Sequence, residues 1–169
     1  GCTDPEAYNY NMNRSIDNGS CKYYNTVTLD SVKVNSFAEF NNQSQGWDAG
    51  SSADIDNDNT LPDLFLGFKS PNNYISNNST VVYYDVNPFD VNYTFELNPK
   101  LTSTQWINSG YWVYLYDIEF DNSYEPIDSV FLEPFDNYGS SKDERFQKTI
   151  SVDKGFNLLN IVAYFSWNE

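Results

Sequence analysis

Two windows of this 169-residue chain are acidic and contain no cation. Neither Lys nor Arg occurs from Val34 to Phe68, nor from Leu101 to Ser141. The first window holds Asp48, Asp54, Asp56, Asp58 and Asp63; the second holds Asp117, Glu119, Asp121, Glu125 and Asp128. Massed carboxylates repel one another unless water separates them or a hard cation bridges them. Any fold must therefore either spread both windows over solvated loops or bring them together around an ion, and the natural occupant of such a meeting point is Ca2+. A solvated acidic face without metal is the alternative for any charge run.

The material between these windows is β-like. The chain is 40% hydrophobic and 18% aromatic, with Tyr and Phe dominating, which is too much core material for a disordered chain. Aromatic and β-branched runs favour strands, and the abundant Asn suits turns. Strands are predicted over 26–37, 63–69, 80–85, 91–97, 111–116, 127–132, 146–152 and 157–167, with long loops over 41–62 and 72–78. In the first strand the apolar phase slips between Leu29 and Val32, which predicts a bulge. The apolar run YWVYLY at 111–116 reads as a central strand, and Trp112 and Trp167 read as core. Eight strands without a helix indicate an all-β fold, an antiparallel eight-stranded β-sandwich. One boundary, near Tyr24–Asn25, divides a small unit (1–25) from the sandwich (26–169).

Charge and composition exclude several function classes. A formal net charge of −15 excludes general electrostatic binding of nucleic acid and disfavours direct contact with anionic membranes. No 18-residue apolar run is present. Histidine is absent, which removes the commonest general base, the Ser-His-Asp triads and the usual zinc ligands. Cys2 and Cys21 are the only cysteines. An even count in a short polar segment suggests a disulfide and an oxidising compartment, with two free thiols as the alternative. Closing a loop of that size is worth about 3 kcal/mol in the chain-entropy model.

Residues 1–23, GCTDPEAYNYNMNRSIDNGSCKY, closely resemble the cysteine-bounded module GCTDPxAxNYxPxAxxDDGSCxY of exported Bacteroidota proteins. Met12 stands in place of its Pro and Asn18 in place of its second Asp. The resemblance implies an exported protein at the cell surface, outer membrane or outside the cell, a Cys2–Cys21 bridge, and a spacer-like role. The module often follows a lipoprotein anchor, so a lipoprotein subunit of an outer-membrane complex is one expectation. Gly1 preceding Cys2 favours the bridge over lipidation of that cysteine.

Residues 26–169 resemble a C-two domain, the calcium- and lipid-binding β-sandwich, in the form found in Bacteroidota surface proteins. The carrying segments are Gly46-Trp47-Asp48, Pro62-Asp63-Leu64-Phe65-Leu66 and Tyr114-Leu115-Tyr116-Asp117-Ile118-Glu119. The resemblance implies calcium ligation by Asp48, Asp63, Asp117, Glu119 and Glu125, the two glutamates replacing aspartates of the family. An insert, Asp54-Ile55-Asp56-Asn57-Asp58-Asn59, resembles the start of an EF-hand loop, without its Gly at the sixth position or its Glu at the twelfth. Asp54, Asp56 and Asp58 join the candidate calcium ligands. No counterpart of the basic, lipid-contacting strand is evident, so membrane docking without a lipid anchor is not expected.

The expected role is therefore non-enzymatic: a calcium-binding interaction or assembly module with a protein partner. A carbohydrate-binding module is the alternative, using the loop aromatics Trp47, Trp106 and Tyr124. A less favoured alternative is a glycoside hydrolase, because Glu119-Phe120-Asp121 followed by Glu125 is similar to the E-x-D-x-x-E strand motif of jelly-roll glucanases, one residue longer.

Overall fold

A computed structural model describes residues 1–47, 61–69, 74–75, 81–89, 92–103, 110–119, 123–135 and 141–169. Its strands are β1 (Thr26–Ser36), β2 (Leu64–Lys69), β3 (Tyr74–Ile75), β4 (Tyr93–Ser103), β5 (Tyr111–Ile118), β6 (Tyr124–Leu132), β7 (Thr149–Asp153) and β8 (Asn160–Asn168), with one helical turn, α1 (Lys142–Arg145). They form two four-stranded antiparallel sheets, ordered β4-β1-β8-β7 and β3-β2-β5-β6. The fold is an all-β, eight-stranded antiparallel sandwich.

The core lies between the sheets and follows from a period of two. Tyr111, Val113 and Leu115 point inward from β5, Leu64, Leu66 and Phe68 from β2, and Ile161, Ala163 and Phe165 from β8. Tyr111 is fully buried, meets Phe165 across the sheets with ring centroids 6.1 Å apart, and burial pushes its phenol well above the usual range. Gly110 enters β5 at φ 61°, where a Cβ would lie 2.5 Å from the carbonyl oxygen of Leu132, so only glycine fits.

The bulge expected in β1 is present. Register shifts between Leu29 and Ser31 against both neighbours, and Lys100 of β4 pairs with Asp30 there at 2.7 Å. Several boundaries differ from expectation: β4 runs Tyr93–Ser103 against the expected 91–97, and β8 begins at Asn160 against 157. The region 81–85 is no strand: only Tyr83 bridges Leu64, and Asp85 turns the chain at φ 51°. The short β3 falls instead within the expected 72–78 loop. β6 begins at Tyr124, not Ile127, and includes Pro126. It tolerates Pro126 because it is the outer strand of its sheet and its register shifts there. β7 starts at Thr149 because Ser141 and Glu144 form a reciprocal capping box that begins α1. That signal, Ser-x-x-Glu, was present in the sequence.

The N-terminal unit is closed by the Cys2–Cys21 disulfide and packs against the sandwich. Tyr24 stacks on Tyr8 at 4.6 Å and meets Phe146 at 5.0 Å and Trp167 at 5.7 Å. Arg145, 2% exposed, reaches from α1 into the unit and donates to the carbonyls of Pro5 and Ala7, its guanidinium over the Tyr10 ring. Tyr8 donates its hydroxyl to Glu169 at 2.5 Å, and that bond pushes its phenol up to about 12. The raised value means this contact is fully present below pH 10 and is lost as pH climbs through about 12.

Arg145 is thus a buried cation satisfied by backbone carbonyls of another unit. Arg145→Ala removes charge-assisted hydrogen bonds and leaves those carbonyls unsatisfied. It is expected to destabilise the chain by about 2–3 kcal/mol in urea unfolding. Unchanged stability would mean that the unit does not depend on this contact.

Candidate acidic site at the sandwich apex

One end of the sandwich gathers the residues before β2, after β5 and around Asp85. Asp117 occupies the last inward position of β5, continuing the series Tyr111, Val113 and Leu115, and is fully buried. Its Oδ1 accepts from the backbone amide of Asp63 at 2.8 Å. The amide of Ile118 returns a bond to the Asp63 carbonyl at 3.0 Å. Asp63, 3% exposed, accepts at Oδ1 from the amide of Asp85 at 3.0 Å. Three aspartates from three segments are thus linked through two carboxylate-to-amide bonds.

Asp85 is the member that sequence reasoning missed. Its left-handed backbone is one that Asp and Asn tolerate better than most residues. Its Oδ1 is shielded from solvent and has no hydrogen-bond partner among the described residues. Such an atom calls for a water or an ion. The available signal was an aspartate closing an apolar run just before the Asn87-Pro88 turn.

The other expected residues distribute as follows. Glu125 on β6 lies directly opposite Asp117. Glu119 follows β5, and its amide bonds the Ser123 carbonyl at 2.9 Å, closing the β5–β6 hairpin. Glu119 and Glu125 therefore stand on opposite arms of a hairpin and not along one strand. Asp128 is drawn away to Lys154 at 2.5 Å, a cation from the opposite sheet that supplies what its own window lacks. Asp48, Asp54, Asp56, Asp58, Asp121 and Trp106 lie outside the described residues.

Two aromatic expectations are corrected. Trp47 is 6% exposed and joins the core, its indole N–H donating to the Ala38 carbonyl at 2.8 Å, so it is no open loop contact. Trp112 is 38% exposed on the outer face of β5. In a run as uniformly apolar as YWVYLY, hydrophobicity does not reveal which alternate positions face out. Trp167 packs against the core as expected, and Tyr124 is 52% exposed.

Among the described residues, no three carboxylates bring their oxygens close enough to hold an ion unaided. The grouping that does, Cys2, Asp17 and Cys21, has both sulfurs spent in the disulfide. Calcium takes six to eight oxygens. Asp63, Asp85 and Asp117 supply hard oxygen donors on three hydrogen-bonded segments, and in sequence the acidic stretch 48–60 directly precedes Leu61-Pro62-Asp63. The donor chemistry fits Ca2+ and no softer metal. Phe40 and Phe89, 51% and 64% exposed, line a shallow cavity beside this apex with Leu61 and Pro88, alongside Glu39 and Asn87.

Compared with protein-family models, curated proteins and solved structures, the chain matches none.

The Asp117 carboxylate has a structural task that is separable from its charge. Asp117→Ala leaves the buried Asp63 amide without its acceptor and is expected to cost about 1–3 kcal/mol in chelator. Asp117→Asn keeps an oxygen acceptor and should cost clearly less. Equal losses in urea unfolding would mean that the charge, and not the hydrogen bond, stabilises the apex.

Proposed function

We propose that this protein is a non-enzymatic, calcium-binding interaction or assembly module of an exported bacterial protein, acting at the cell surface or outer membrane. The observation that carries the reading is the linkage of Asp63, Asp85 and Asp117, two of them buried, through carboxylate-to-amide hydrogen bonds, next in sequence to the acidic 48–60 segment. Carboxylates on neighbouring segments, two of them buried, are an electrostatic reason to propose a cation. In this reading Asp63, Asp85, Asp117 and Glu125 hold the ion with Asp48 and the Asp54-Asp56-Asp58 string. Bound calcium supplies positive charge that fixes the acidic loop against the β5–β6 hairpin. The exposed rings of Phe40 and Phe89 then form the protein-facing rim beside the fixed loop. The C-two-like and Bacteroidota resemblances, and the export and outer-membrane setting they imply, belong to the same proposal. The disulfide supports an oxidising compartment.

Thermal unfolding with Ca2+, with Mg2+ and with chelator tests this. Ligand at roughly 100 times its Kd adds about 2.7 kcal/mol, a rise of several degrees for a chain of this size. The rise is expected with Ca2+ and not with Mg2+, and it should shrink in Asp63→Asn, Asp85→Asn and Asp117→Asn. Identical melting of the parent protein in Ca2+ and chelator would remove the reading.

A further inference from the structure

The outer face of the β3-β2-β5-β6 sheet carries an aromatic strip on the side of β5 opposite the inward-facing Asp117, its Tyr116 and Tyr124 end adjoining the apex. Along β5, Trp112, Tyr114 and Tyr116 face outward, with ring centroids 6.3 Å and 5.8 Å apart and interplanar angles of 33° and 20°. β6 adds Phe131 beside Trp112 at 5.2 Å and Tyr124 beside Tyr116 at 5.8 Å. Register builds the strip: Trp112 pairs with Phe131, and Tyr114 stands between Gly67 and Ser129, whose small side chains leave its ring uncrowded. Trp112, Phe131 and Tyr124 are 38%, 37% and 52% exposed.

Two properties narrow what such a strip fits. The first is charge. The protein carries a net charge of −15, yet the rings of this strip and Ser129 between them are all uncharged, and Lys69 of β2 stands directly opposite Trp112. A neutral ligand suits such a strip, since a polyanion would meet the surrounding negative field. The second is hydrogen bonding. Among the described residues, the Trp112 indole N–H and the Tyr114 and Tyr124 hydroxyls have no partner within the chain. Tyr and Trp combine an apolar face with a polar handle, which suits a ligand that is apolar on one face and hydroxylated around its edge.

We propose that this sheet face binds a neutral, extended polysaccharide, its sugar rings stacking their C–H faces on Trp112 and Tyr114 and its hydroxyls bonding the free polar handles of Trp112, Tyr114 and Tyr124. The proposal does not rest on calcium, since the strip lies on the outer face of the sheet whereas Asp117 points inward.

Affinity electrophoresis of the whole chain in gels containing xylan, mixed-linkage β-glucan or galactomannan tests it, with alginate as the charged control and each gel run with Ca2+ and with chelator. Retardation by at least one neutral polysaccharide is expected, equally in both conditions. Trp112→Ala or Tyr114→Ala should weaken it about five- to tenfold, and Trp112→Tyr should largely retain it. Phe156→Ala, at a 92% exposed loop position, should leave it unchanged. Matching circular dichroism and urea midpoints verify each fold, and Tyr124→Ala replaces any variant that fails. Retardation by none of the three, retardation by alginate alone, or retardation indifferent to these substitutions overturns the proposal. So does a dimer in sedimentation that Trp112→Ala dissolves, because the face would then pair with a second copy.

Discussion

The hydrogen bond from the Asp63 amide to the buried Asp117 carboxylate fixes how the apex is built. It joins the end of the central strand β5 to the start of β2. Through the second carboxylate, Asp63 holds the turn at Asp85. Buried carboxylates are costly unless their oxygens are satisfied, so each of these two earns its place by accepting from backbone. A side effect of that arrangement is negative charge in a region of low dielectric, which is the electrostatic reason for proposing a cation there.

The opposite end is organised by a cation. Arg145 enters the disulfide-closed unit and is satisfied by carbonyl oxygens, its guanidinium over Tyr10 and Phe146, while Tyr8, Tyr24, Phe146 and Trp167 form a continuous aromatic contact beside it with Lys142 over Tyr8 and Tyr24. The N-terminal unit therefore does not hang as a spacer. The disulfide limits the conformations of a segment with little core of its own, and the sandwich supplies the apolar surface that the segment lacks. The aromatic wealth of the chain is thus divided among the sandwich core, this junction and the outer strip on β5 and β6.

Most of the fold was legible in the sequence because β1, β2, β5 and β8 are long, strongly apolar runs bounded by turn residues. The bulge in β1 was legible from a slipped phase between Leu29 and Val32. The third strand was not: region 81–85 has strand-like composition, but the bend at Asp85 limits its described pairing to a single bridge. The capping box at Ser141 and Glu144 was overlooked because Phe146 opens a strand-like run. Trp47 and Trp112 exchanged roles, since loop-like neighbours do not prevent burial and a wholly apolar strand hides its alternation. In the candidate site, Asp63 and Asp117 were legible from the acidic windows, whereas Asp85 had no distinguishing pattern around it.

By itself the sequence determined the class of fold, the pairing of its two cysteines as the available crosslink, and the need of two cation-free acidic windows for solvent or an ion. These follow from local composition, periodicity and charge, which act within short stretches of chain. Only the tertiary structure decided that Asp63, Asp85 and Asp117 meet, that Lys154 answers Asp128 from the opposite sheet, that Arg145 anchors the N-terminal unit, and which rings of β5 face outward. Each of those depends on strand order and register, which bring together residues separated by tens of positions and which no local pattern encodes.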